Sequence, residues 1–130
     1  MLNNDRKIIL IGGAPTTGKS TTAAAVAKHL DLPWISTDQI RDILRASTTR
    51  EQAPKLFNPE GYDAERFLTE FSAEQIATME IEQGQAVWPT IKNFINHDYT
   101  WEKGFVIEGV NILPNLVYED FENDDKIKSV

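Results

Sequence analysis

The sequence contains no cysteine, so the chain can form neither a disulfide bond nor a thiol-based active site. It has no apolar run long enough to cross a bilayer, and no secretory pattern precedes its first apolar segment. Basic residues are few, 13 against 20 acidic ones, and the net charge of −7 argues against a nucleic-acid-binding surface. We therefore expect a soluble, cytoplasmic protein with a single domain over 1–130 and no nucleic-acid or membrane partner.

Against these absences, residues 13–20 match the phosphate-binding pattern G-x-x-x-x-G-K-[ST]. Gly13 and Gly18 let the backbone approach phosphate groups. Successive backbone N–H groups and the positive N-terminal end of the next helix can then bind the phosphate charge. Lys19 is a donor for the β- and γ-phosphates of ATP, and the Ser20 hydroxyl suits Mg²⁺. The predicted nucleotide-binding residues are Gly13, Ala14, Pro15, Thr16, Thr17, Gly18, Lys19, Ser20 and Thr21. The motif predicts nucleotide binding but does not by itself separate kinases from ATPases, GTPases or sensors.

The segments around the motif predict an α/β fold. Lys7 to Ile11 is an unbroken apolar segment typical of a buried strand, and Thr21 to Leu30 has helical spacing. Trp34 to Ser36 and Phe105 to Ile107 predict two further strands, and Ile127 to Val130 predicts the start of a fourth. This alternation indicates a P-loop NTPase fold, a parallel sheet of three to four strands flanked by helices.

The segment between the second and third strands is predicted to be mainly helical. Thr37 or Asp38 is the expected N-cap of a helix from Gln39 to about Ala46. The residues expected to share one face of this helix are Ile40, Ile43 and Leu44. Ser47 to Asp63 is expected to be a loop, because it is rich in residues that disfavour regular structure.

Two more helices are predicted after this loop. The first runs from Ala64 to Gln83 and is interrupted by Gly84. The second contains Pro89, which is expected to lie at a kink or in a first turn.

Three polar clusters follow the predicted strands, and ligands of parallel sheets bind beyond the carboxyl ends of the strands. Asp38 is expected to face the phosphate loop and to orient or deprotonate an acceptor hydroxyl, which makes it a catalytic residue with Lys19. Arg41 shares a helix face with Asp38 and could bind an acidic acceptor. Glu108 could lie near Mg²⁺ through water, or bind the acceptor. The alternatives are a surface pair of Asp38 with Arg41 and a Glu108 tied to backbone amides.

Three blocks of the sequence resemble 2-phosphoglycerate kinase-like P-loop kinases. They are residues 12–20, Ser36 to Arg41, and Val106 to Val110 with Leu113-Pro114. The resemblance implies transfer of the γ-phosphoryl group of ATP to a hydroxyl of a small, acidic acceptor. It places ATP and Mg²⁺ at Lys19 and Ser20, and the substrate-binding residues it implies are Asp38, Arg41 and Glu108. Zeta-toxin-like and shikimate-kinase-like enzymes look similar at the same places, so the resemblance leaves the acceptor open.

The sequence departs from this group after the third strand. Such kinases continue with a lid that carries arginines, whereas the last arginine here is Arg66. No residue is therefore assigned to neutralise the transferring phosphoryl group in this way. We expect either a kinase domain incomplete at its C-terminus, a site completed by another chain, or a nucleotide-binding module without catalysis. A hydrolase or switch fits poorly, because the third strand ends in Glu108 rather than an Asp.

Overall fold

The computed structural model describes residues 6–13, 18–57, 69–98 and 100–129. Within these ranges four strands form one sheet in the order β2-β3-β1-β4, and all pairings are parallel. The strands are β1 (Lys7–Ile11), β2 (Trp34–Ser36), β3 (Gly104–Glu108) and β4 (Ile127–Ser129). The helices are α1 (Lys19–Leu30), α2 (Thr37–Ala46), α3 (Ala73–His97) and α4 (Pro114–Phe121), with a short 3₁₀ helix at Pro54–Phe57. The predicted α/β fold with a parallel sheet is confirmed, and so is the fourth strand.

The side chains of β1 divide the core into two clusters, because successive residues of a strand point to opposite faces of the sheet. Ile8 and Leu10 pack in the larger cluster, to which α2, α3 and α4 all contribute. Ile9 and Ile11 pack in the smaller cluster, with Ala23 and Ala27 of α1. The sheet is therefore covered on both faces, as its continuous apolar strands predict.

The first turn of α2 differs from the prediction. Its N-cap is Ser36, whose Oγ accepts from the Asp38 N–H at 3.1 Å, while the Ser36 N–H donates to Gln39 Oε1 at 2.9 Å. The helix therefore follows β2 without a loop, and Thr37 lies fully buried within it. Of the apolar residues predicted to share one face of α2, Ile40 is buried whereas Ile43 is 66% exposed, and the buried stripe runs through Thr37 and Ile40.

The segment between α2 and α3 is more regular than predicted. Its 3₁₀ helix buries Phe57, and the Arg45 guanidinium donates through Nε to the Leu56 carbonyl at 2.9 Å. The guanidinium carbons of Arg45 and Arg50 each lie 5.8 Å from the centroid of the Phe57 ring. These contacts order the described part of the predicted loop, and residues 58–63 lie outside the described ranges.

Helix α3 runs without a break through Gly84, and the break between helices lies at Phe71 and Ser72 instead. The predicted start at Ala64 lies outside the described residues, and the chain bends at Phe71 before Ser72 caps α3. The interruption predicted at Gly84 is absent, since this residue is buried in mid-helix. A Cβ at Gly84 would lie 2.8 Å from Leu113 Cδ1, so close packing offsets the roughly 1 kcal/mol that glycine costs a helix.

Pro89 lies in the interior of α3, so a first-turn position is wrong. Both Pro89 and Gln85, whose carbonyl loses its helical donor, are exposed, so water can satisfy that carbonyl. Neither α3 nor any other helix in the described ranges is long and apolar enough to span a membrane.

A polar contact joins α3 to α4. Trp88 Nε1 donates to Asp120 Oδ2 at 2.7 Å, and Lys92 Nζ lies 3.2 Å from Asp120 Oδ1. The ring of Trp88 also meets Phe121 edge-on, with centroids 6.0 Å apart. The indole N–H and then the Lys92 ammonium lower the pKa of Asp120 below its ordinary value of 3.8. The ionised form of Asp120 therefore stabilises the packing of α4 against α3.

We expect Asp120→Ala to lower the free energy of unfolding by about 1 kcal/mol, because the buried Trp88 indole loses its acceptor. The lowered pKa means that this contribution is present above pH 3.8 and is lost as the pH falls through the pKa of the folded state. Urea denaturation at pH 7 and at pH 3 would measure it, with the exposed neighbour Glu119→Ala as control. Equal losses for both variants at pH 7 would contradict the assignment.

Candidate functional site

The carboxyl ends of three strands lie at the same level of the sheet. Glu108, the last residue of β3, is in register with Ile11 of β1 and with Ser36 of β2. The Gly109 N–H donates to the Ile11 carbonyl at 2.9 Å, which continues the alignment beyond β3. The phosphate motif, the first turn of α2 and the turn after β3 therefore all begin at one edge of the sheet. The predicted convergence of the three polar clusters is confirmed.

The described parts of the phosphate motif have the backbone conformation that the sequence predicts. Gly13 has φ 138° and Gly18 has φ 81°, both in the region that favours glycine. Gly18 is the N-cap of α1, so Lys19, Ser20 and Thr21 form the first turn, where the helix dipole favours an anion. The predicted residues that lie outside the described ranges are Ala14, Pro15, Thr16 and Thr17.

Ser20 and Glu108 meet across the edge of the sheet. The Ser20 hydroxyl donates to Glu108 Oε1 at 3.4 Å, and Glu108 is only 4% exposed. The Glu108 carboxylate thus accepts a hydrogen bond from a side chain of the phosphate motif. Two adjacent oxygen groups fit Mg²⁺, which binds oxygen and takes further ligands from water and phosphate. Ser20 and Glu108 would hold such an ion.

Asp38 and Arg41 form an ion pair on α2, as their spacing predicts. Arg41 Nη1 lies 3.2 Å from Asp38 Oδ1, and the side chain of Asp38 is 61% exposed against 19% for Arg41. Asp38 lies in the first turn of α2, where the helix dipole favours its charge. The carboxylate is therefore open to a ligand, whereas the guanidinium is largely enclosed by protein.

Two buried amides that the sequence did not single out lie behind Arg41. Gln83 Oε1 of α3 accepts from Arg41 Nη1 and from Asn111 Nδ2, each at 3.3 Å. Gln83 is 5% exposed and Asn111 is fully buried. Glutamine beside a glycine inside an amphipathic helix was the available signal, because a glycine there marks close packing of the next element.

Close packing at Gly109 holds α2 against the turn after β3. Gly109 has φ 152°, and a Cβ at this residue would overlap the Thr37 Oγ1 atom. Several buried side-chain atoms at this edge have no hydrogen-bond partner within the described part of the chain. They are Thr37 Oγ1, Arg41 Nε and Asn111 Oδ1. Unsatisfied buried polar atoms cost stability, so their concentration here is typical of a site rather than of a core.

Curated 2-phosphoglycerate kinases match most of this chain. The chain is 32% identical over 123 residues to the 2-phosphoglycerate kinase of Methanococcus vannielii, covering 89% of this chain and 39% of that protein. The chain is a homologue of 2-phosphoglycerate kinases. It is also 25% identical over 114 residues to the mevalonate-3-phosphate 5-kinase of Thermoplasma acidophilum, covering 87% of this chain and 55% of that protein. The resemblance seen in the sequence is confirmed, and these homologues are small-molecule kinases by name.

The match is partial in length. The chain spans about two fifths of the 2-phosphoglycerate kinases it matches. No protein-family model matches the chain. A solved structure of a candidate kinase from Chloroflexus aurantiacus shares 19% identity, covers 97% of this chain and 57% of that chain, and has a TM-score of 0.44. That score is too low to establish a common fold.

We expect Gly109→Ala to destabilise the protein by more than about 2 kcal/mol, because it adds backbone strain and a clash with Thr37. Gly18→Ala is the matched control, because Gly18 also has positive φ but a Cβ there would have no neighbour within 4 Å. Chemical denaturation of both variants separates strain from packing. A loss at Gly109 no larger than that at Gly18 would show that the close approach to Thr37 is unimportant.

Proposed function

We propose that this chain transfers the γ-phosphoryl group of ATP to a hydroxyl of a small acidic acceptor similar to 2-phosphoglycerate. The observation that carries the proposal is the meeting of two pairs at one edge of the sheet, Ser20 with Glu108 and Asp38 with Arg41. The homologues support the reaction class, since they are named as kinases of phosphorylated small molecules. In this proposal both halves of the site belong to one cytoplasmic domain over 1–130.

The nucleotide half of the proposed site is the phosphate motif. Its backbone N–H groups and the start of α1 bind the phosphates of ATP, and Lys19 donates to the β- and γ-phosphates. Ser20 contributes an oxygen to Mg²⁺, which when bound supplies charge stabilisation for the transferring group. The residues assigned to this half are those at positions 13–21.

The acceptor half of the proposed site is the start of α2. Asp38 orients the acceptor hydroxyl and receives its proton, which its exposed carboxylate can do without rearrangement of the core. Arg41 binds the anionic group of the acceptor, because a guanidinium can donate two hydrogen bonds to one carboxylate or phosphate. Glu108 lies between the two halves and supports the metal or the acceptor.

A nucleotide-binding module without catalysis is the second candidate. The phosphate motif at positions 13–20 supports it as well as a kinase, because nucleotide binding does not by itself imply phosphoryl transfer. The two candidates differ in one measurement, ATP consumption by the 130-residue chain with 2-phosphoglycerate and other phosphorylated or carboxylated hydroxy compounds. Binding of ATP without acceptor-dependent consumption would favour the module.

We expect Lys19→Ala to weaken ATP binding by about 10- to 100-fold, the effect of losing a charged hydrogen-bond donor to phosphate. Calorimetric titration with ATP and Mg²⁺ would measure this change. Lys28→Ala is the control, because Lys28 is an exposed lysine of the same helix. Unchanged affinity in Lys19→Ala would exclude the proposed nucleotide half.

We expect Asp38→Asn to keep the affinity for ATP and to lower kcat by about 100- to 10,000-fold, the range for loss of a general base. Steady-state kinetics with the acceptor that supports turnover would measure the effect. Asp42→Asn is the control, since Asp42 is 70% exposed and also lies near Arg41, 3.9 Å from its Nε atom. Unchanged turnover in Asp38→Asn would remove Asp38 from the mechanism.

A further inference from the structure

We propose that Gln83 is a positioning residue that holds the Arg41 guanidinium in the orientation that binds the anionic group of the acceptor. Asn111 anchors Gln83 in turn. The inference rests on the proposed function and deepens it, because it extends the acceptor site from α2 to α3 and to the turn after β3.

The contacts form a chain from the exposed edge into the core. Asp38 is exposed, Arg41 is 19% exposed, and Gln83 and Asn111 are buried. The Gln83 oxygen lies 3.3 Å from both Arg41 Nη1 and Asn111 Nδ2. A buried hydrogen bond to a charged group is stronger and better oriented than one at the surface. The contacts thus connect the partly exposed Arg41 to the fully buried Asn111 through Gln83.

The charge of Arg41 sets the orientation of both amides. A guanidinium only donates hydrogen bonds, so Gln83 must present its oxygen to Arg41. Asn111 can share that oxygen only through its NH₂ group. This arrangement leaves Asn111 Oδ1 buried without a partner in the described part of the chain. An amide network that leaves one acceptor unsatisfied costs stability, and in this proposal the orientation of Arg41 is the function that the network serves.

Gln83 also leaves Asp38 able to act on the acceptor. Arg41 Nη1 contacts Asp38 and Gln83 at similar distances, 3.2 and 3.3 Å. If Asp38 turned toward an acceptor hydroxyl, Arg41 would keep its bond to Gln83. Without Gln83, the carboxylates near Arg41 are those of Asp38 and Asp42, both more than half exposed. Such surface pairs hold a side chain weakly.

The packing of α3 brings Gln83 to Asn111. The next residue, Gly84, meets Leu113 so closely that a Cβ would lie 2.8 Å from its Cδ1 atom. Asn111 and Leu113 belong to the same turn after β3, so one close contact sets the distance for the other. The close packing at Gly84 therefore helps to place Gln83 beside Asn111.

The test is a double-variant cycle on acceptor binding, with 2-phosphoglycerate as the probe and ATP present. Gln83→Met keeps the size of the side chain but removes its acceptor, and we expect it to raise the KM and the Kd for 2-phosphoglycerate about 10- to 100-fold. The kcat and the KM for ATP should change little, and exposed Gln85→Met is the control. Because Gln83 acts through Arg41, Gln83→Met should add nothing in an Arg41→Met background. If Gln83→Met does not fold, Asn111→Ser replaces it, with a smaller rise expected.

The outcomes separate the inference from the proposed function. If the wild type transfers phosphate and Gln83→Met behaves like Gln85→Met, the inference fails and the function stands. An additive effect in the double variant also overturns it, because Gln83 would then act independently of Arg41. If the wild type binds 2-phosphoglycerate without turnover, the proposed function fails and the Kd values alone decide the inference. A wild type that neither binds nor transfers overturns both.

Discussion

The turn that follows β3 is the constraint on which the rest of the site depends. Within residues 109–113, Gly109 packs against Thr37 of α2, and Leu113 packs against Gly84 of α3. At either glycine, an added Cβ would force neighbouring atoms to move. The residue before the phosphate motif packs against the same turn, since a Cβ at Gly12 would lie 2.5 Å from the Ile112 carbonyl oxygen. Because β1 and β3 are paired in the middle of the sheet, the turn cannot move without disturbing the core. Close packing thus holds three elements at one edge of the sheet.

This arrangement explains how the edge tolerates poorly satisfied polar groups. Thr37 Oγ1 and Asn111 Oδ1 are buried without described partners, and Glu108 is a buried carboxylate with a long bond to Ser20. Each such group costs free energy, whereas apolar clusters on both faces of the sheet stabilise the frame that carries them. A site can hold groups in orientations useful for a ligand only if the surrounding fold does not depend on their hydrogen bonds.

Features that depend on local sequence pattern could be predicted, whereas features that depend on long-range contacts could not. Strand β1 has the predicted bounds, Lys7–Ile11, because a short unbroken apolar segment is typical of a strand that is buried on both faces of a parallel sheet. The N-cap prediction for α2 is wrong because Ser36 to Asp38 are all good caps, and the end of β2 decides among them. Gln83 meets Arg41 across 42 positions of sequence and Asn111 across 28, and the local signal, the glycine that follows Gln83, indicates close packing without identifying either partner. The helix break predicted at Gly84 rests on propensity alone, which the packing of α3 against the turn after β3 overrides.

The same turn links the two halves of the proposed site. Glu108, just before it, accepts from Ser20 on the nucleotide side, while Asn111, within it, anchors the chain to Arg41 on the acceptor side. In the proposed site the hydrogen bond from Ser20 keeps its hydroxyl beside the Glu108 carboxylate, so both oxygen groups would be placed to hold Mg²⁺. Since both anchors lie on one short segment fixed by packing, their separation is set by the fold. Phosphoryl transfer needs such a fixed distance, because most of its catalysis comes from positioning donor and acceptor in line.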